Sequence, residues 1–137
     1  MAKVLGVDYG KKRIGLAVTD EQRLLVFPKD AVFVNNEKDA LEALNAICKE
    51  NKISLIVIGL PLLLDGRKTS QTKEVISFAK KLQDFTNLSV EFVDETLSTF
   101  EAEEMMEDFK KEKKKKNSGE KDILSAQIIL KRWLDLW

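Results

Sequence analysis

VLGVDYGKKRIGLAV, residues 4–18, decides the fold. It is an apolar run with one carboxylate, Asp8. It breaks at Tyr9-Gly10 into three cations, Lys11, Lys12 and Arg13. Residues 3–7 read as a short strand that Asp8 ends. Residues 9–12 read as a tight turn, in which Gly10 is free to take positive φ. Residues 14–18 are a second strand, so the chain opens on an antiparallel hairpin. An acid at the end of an apolar strand needs a reason.

Working outward, residues 24–27 are a third short strand, ended by Pro28. Residues 37–51 carry Ala40, Leu41, Leu44, Ile47 and Cys48 at helical spacing. SLIVIGLP, residues 54–61, is continuously apolar and β-branched, as a strand covered on both faces should be. Residues 62–70 form a loop, and residues 71–85 a second helix with Val75, Phe78, Ala79 and Leu82 inward. Residues 88–94 are a strand. Ser98 and Glu101 have capping-box spacing and start a helix that runs through Phe109. A basic loop spans 110–120, and a final helix spans 121–136. Strands then alternate with helices, which predicts an α/β fold: a mixed central sheet with helices on both faces.

The length, 137 residues, suits one domain spanning 1–137. Net charge is zero, which argues against binding by global basic attraction. Charge is nevertheless segregated, with Lys113, Lys114, Lys115 and Lys116 following an acid-rich stretch. There is no histidine. That excludes a Ser-His-Asp triad, a Cys-His pair and a histidine zinc site. Cys48 is the single cysteine, so no internal disulfide forms, and a reducing, cytoplasmic setting is expected. Its place on an apolar helical face makes it a core residue. Trp133 and Trp137 read as packing residues, and Met105 and Met106 as core. No secretory signal and no membrane span are expected.

Chemistry must therefore rest on carboxylates. Asp8 ends the first strand, Asp94 and Glu95 end the last strand, and Asp122 opens the last helix. In open α/β sheets ligand sites lie at strand ends, so these acids could converge. Carboxylates without histidine suit hard cations such as Mg²⁺ or Mn²⁺. Two such ions about 3.5–4 Å apart can stabilise the attacking and leaving oxygens of a phosphodiester. Each acid also has a plain structural reading: a solvated turn residue, or for Asp122 a favourable charge at a helix start. Lys11, Lys12, Arg13 and the lysine run are candidate phosphate contacts, or simply solvated loops.

Four stretches together resemble the YqgF/RuvX family, the RuvC-like branch of the RNase H-like superfamily. They are GVDYGKKRIGLAVTD, IVIGLPLLLDG, VDETLSTFEAE and KDILSAQIIL, in that order along nearly the whole chain. The resemblance implies an RNase H-like fold and divalent-metal nuclease chemistry. It also implies a role in maturing the 5′ end of pre-16S ribosomal RNA, in contact with ribosomal particles, or in resolving four-way DNA junctions. By resemblance Asp8, Glu95 and Asp122 are the catalytic metal ligands, with Asp94 beside them, and two Mg²⁺ or Mn²⁺ ions are implied. Thr96 stands where the family commonly has arginine, which removes one cation from the expected phosphate contacts. Ser125-Ala126 stands where the family commonly has two alanines, and both residues are still small.

Two other classes share some of these features. Actin-like and sugar-kinase ATPases open on a similar hairpin, but they enclose ATP between two such domains and need a further glycine-rich loop. A non-catalytic RNA- or junction-binding module is compatible with zero net charge. RNA versus DNA, and monomer versus homodimer, stay open at the level of sequence.

Overall fold

The computed structural model describes residues 3–63, 65–97 and 119–136. The strands are β1 (Lys3–Tyr9), β2 (Arg13–Thr19), β3 (Val26–Phe33), β4 (Ile53–Leu63) and β5 (Ser89–Leu97). The helices are α1 (Glu37–Glu50), α2 (Ser70–Thr86) and α3 (Gly119–Asp135). The helix expected from Ser98 to Phe109, the run from Lys113 to Lys116 and Trp137 lie outside the described residues.

The opening hairpin is present, and it is longer than expected. Asp8 pairs with Gly15 and Tyr9 with Ile14, so Asp8 lies inside β1 rather than at its end. Gly10 does not use positive φ. Its reason is steric, because a Cβ there would sit 2.6 Å from the Arg13 carbonyl oxygen. Pro28 does not end β3 but lies within it. β3 is an edge strand, and the ladder skips a residue where Leu16 pairs with Asp30 and Ala17 with Pro28. An edge position with a bulge is where a strand tolerates a missing N–H. β4 runs on to Leu63, two residues beyond the expected end, and β5 runs on to Leu97.

The sheet order is β3-β2-β1-β4-β5. β1 is antiparallel to β2 and parallel to β4, and β4 is parallel to β5. Local signals set the helix ends. Asn36 caps α1 by accepting from the Asp39 amide at 2.8 Å. Thr69 and Thr72 form a reciprocal capping box at the start of α2. Asn87 closes α2 in the left-handed conformation at φ 59°. The Thr72 hydroxyl also donates to the Pro61 carbonyl, which ties the start of α2 to the end of β4.

Alternation along the strands divides the core into two layers. Leu5, Val7, Ile14, Leu16, Ile56 and Ile58 meet α1 and α2 through Leu44, Cys48, Phe78 and Leu82. Val4, Ala17, Leu55, Val57 and Val93 meet α3 through Ala126, Ile129, Leu130 and Trp133. Helices therefore cover both faces, as expected. Among the described residues no helix is long and apolar enough to cross a membrane.

Candidate active site

The site lies on the α3 face of the sheet, and three glycines make it possible. A Cβ on Gly6 would lie 2.4 Å from Leu130 Cγ and 3.0 Å from the Ala126 carbonyl oxygen. One on Gly15 would lie 2.0 Å from the Asp122 carbonyl oxygen. One on Gly59 would lie 2.6 Å from Ile129 Cδ1 and 2.9 Å from Glu95 Oε2. Real side chains do not fit at such distances, so α3 seats itself directly on bare backbone. Ala126 on the helix is fully buried and carries only a methyl group.

This seating brings the acids together from three elements. Asp8 faces Gly15 across the hairpin, and Asp122 sits on Gly15. Val7 pairs with Ile58, so Asp8 and Gly59 are the next residues along two parallel strands. The Glu95 carboxyl lies over Gly59. Asp8 is thus flanked by Asp122 on one side and Glu95 on the other. The electrostatics agree. Burial first, then the charges of Glu95 and Asp122, push the Asp8 carboxyl from 3.8 up to about 8. Burial also raises Glu95, and the Arg132 guanidinium opposes that rise.

Asp122 is held differently. Its Oδ2 accepts from Arg13 Nε at 3.0 Å in a partly buried ion pair. Among the described residues no three acids are grouped closely enough to form a ready-made three-ligand set. The donors nonetheless fit a hard divalent cation. They are all carboxylate oxygens, and the crowded negative charge around Asp8 is what such a cation would cancel.

The remaining candidates fall elsewhere. Asp94 is exposed, and strand alternation turns it to the face opposite Glu95, so it is not brought to Asp8. Lys11 and Lys12 are exposed beside the hairpin, and Lys11 Nζ lies 3.3 Å from Glu74 Oε1. Arg13, expected to meet phosphate, instead bonds an acid of the site. Cys48 is buried, and burial raises its thiol to about 11, which suits packing and not nucleophilic attack. Trp133 is core, with the Arg23 guanidinium 5.7 Å from its ring centroid. Arg132 had no signal in the sequence, since one cation in a last helical turn is an ordinary surface feature.

Comparison with known proteins gives the family. The RuvX family model, described as "Holliday junction resolvase", matches residues 2–136. The chain belongs to the RuvX family. A relative from Endomicrobium trichonymphae, named "Putative pre-16S rRNA nuclease", is 38% identical over 99% of this chain and 97% of its own. One of the same name from Maridesulfovibrio salexigens is 40% identical over 96% of this chain and 97% of its own. Among solved structures, "T. thermophilus RuvC in complex with Holliday junction substrate" overlaps 69% of this chain and 65% of that chain, with 10% identity and a TM-score of 0.49. The mixed five-stranded sheet, hairpin first and helices on both faces, is the RNase H-like α/β class that RuvX membership implies.

Proposed function

We propose that this RuvX-family chain is a divalent-metal nuclease that hydrolyses phosphodiester bonds in the 5′ extension of pre-16S ribosomal RNA. The observation that carries this is that Asp122 and Glu95 flank Asp8 on the α3 face, with the Asp8 carboxyl raised to about 8. Relatives named as pre-16S rRNA nucleases over nearly the full chain support the substrate.

Asp8, Glu95 and Asp122 would hold Mg²⁺ or Mn²⁺. When bound, two such ions supply a water nucleophile and stabilise the departing 3′ oxygen. The protein's own part is to fix three acids on rigid elements: the central strand β1, the edge strand β5 and the start of α3. At neutral pH, without a cation, Asp8 keeps its proton, since its carboxyl titrates at about 8. A cation would favour the ionised carboxylate, so metal uptake releases that proton. Lys11 and Lys12 stand exposed on the hairpin turn, Lys11 reaching Glu74 of α2, and are the cations proposed to meet the backbone of the substrate. The proposed setting is the cytoplasm, with the RNA precursor met on ribosomal particles.

The family description keeps a second substrate in play, the four-way DNA junction. One experiment separates the cases. Purified protein is offered a 5′-extended RNA precursor and a four-way junction, with Mg²⁺ or Mn²⁺, beside Asp8→Asn. The expected result is RNA cleavage that falls on the order of 10³-fold or more in the variant. Preferential junction cutting would move the substrate to DNA. Full activity in Asp8→Asn would remove the site.

A further inference from the structure

We propose that Arg13 is a displaceable clamp: it holds the Asp122 carboxylate away from Asp8 until a divalent cation takes its place. The inference rests on Asp8, Glu95 and Asp122 forming the cation site.

The geometry separates the backbone of Asp122 from its side chain. The backbone is pinned, because the Asp122 carbonyl lies where a Cβ of Gly15 would stand, at 2.0 Å. The Asp122 Cβ is likewise over Gly15, at 2.8 Å from that position. From this fixed point the carboxylate has two neighbours on the same face of the hairpin. Along β2, two residues before Gly15 and on the same side of the pleat, is Arg13. Across the ladder, directly opposite Gly15, is Asp8. Such cross-strand partners have Cβ positions about 4.5–5.5 Å apart. Rotation of one side chain therefore exchanges an arginine for an acid as the near neighbour.

In the structure Arg13 holds the carboxylate. The carboxylate of Asp122 accepts from Arg13 Nε at 3.0 Å, with both side chains about three-quarters covered. Turning instead to Asp8 and Glu95 would exchange the guanidinium for two acid side chains. A divalent cation reverses the balance, since it makes Asp8 and Glu95 attractive company for Asp122. Arg13 then gives up the Asp122 carboxylate at the start of β2. Its planar fork suits the phosphate of a bound strand. Arg13 is thus a positioning residue that couples cation loading to substrate grip.

The test is Mn²⁺ binding by the full chain, measured by titration calorimetry, with thermal melts in chelator as the folding control. Arg13→Gln should bind Mn²⁺ about tenfold more tightly than wild type, the value of one charge-assisted hydrogen bond lost from the cation-free form. Arg13→Lys keeps the charge and loses the fork, and should tighten binding a few-fold. In an Asp122→Asn background, Arg13→Gln should change the dissociation constant by less than about twofold. Equal tightening in both backgrounds would reduce Arg13 to a through-space charge and overturn the clamp. Unchanged or weaker binding in Arg13→Gln and Arg13→Lys would overturn it too, with the cation site intact. No Mn²⁺ binding by wild type or any variant would overturn the cation site itself, and the clamp with it.

Discussion

The two faces of this sheet are built from the same strands on opposite principles. On the α1–α2 face, Leu5, Val7, Ile14, Leu16, Ile56 and Ile58 present full side chains, and Phe78 and Leu82 fill the space above them. On the α3 face the alternate positions include Gly6, Gly15 and Gly59, and the helix sits on backbone. The first face maximises buried volume, the main source of stability. The second gives up side-chain volume for a close approach of α3. Asp8 occurs one residue after Val7 in β1, yet the pleat places the two on opposite faces. Core packing and the candidate site thereby lie on different sides of one strand.

The largest expected effect probes the first face. Phe78→Ala, deep under Tyr9 at a ring separation of 4.3 Å, should cost roughly 3–5 kcal/mol of stability. Urea unfolding measures this, and Mn²⁺ affinity of the folded variant should be unchanged. A folded Phe78→Ala protein that no longer binds Mn²⁺ would break the separation of the faces.

Next is Asp8 itself. Its folded carboxyl titrates at about 8 against 3.8 for the ordinary group, so folding takes up a proton between those values. Stability from this group is full below about pH 4 and declines progressively as pH rises to about 8. In chelator at pH 8, Asp8→Asn should therefore be more stable than wild type by roughly 2–4 kcal/mol. The gap should shrink at pH 5. A variant less stable than wild type at pH 8 would mean that Asp8 is well accommodated as a charge.

Gly15→Ala tests the close approach. Its Cβ meets the Asp122 backbone, so α3 must lift, at a cost of roughly 1–3 kcal/mol. Cleavage should fall further than the loss of folded protein explains, because Asp122 moves with the helix. Equal losses in both measurements would make Gly15 a packing residue only. The smallest effect belongs to Asp94→Asn. On the exposed side of β5, it should change stability by less than about 0.5 kcal/mol and leave cleavage within about twofold. Strong loss there would transfer the role of Glu95 to Asp94.

Much of this architecture was legible in the chain as written. The hairpin followed from two apolar runs around Tyr9-Gly10-Lys11-Lys12, and β4 from the unbroken apolar run around Val57. The capping of α2 was less visible, since the reciprocal Thr69–Thr72 pair lacks the usual acidic partner. Strand ends were placed too early, at Asp8 and Asp94, because polar residues read as boundaries when only the sequence is seen. In the fold their backbones still pair, and Asp8 lies on the α3 face beside Gly15.

What the sequence determined by itself was the donor chemistry and the order of the elements. With no histidine and one buried cysteine, only carboxylates were left to hold a hard cation. What only the tertiary structure decided was which carboxylates meet. Glu95 rather than Asp94 reaches Gly59, because side chains alternate across a strand and only one parity faces α3. Arg13 bonds Asp122 across 109 residues because Gly15 lets the helix backbone touch the hairpin. Residue type is local, and encounter is not: it depends on how closely two backbones approach, which three missing side chains set here.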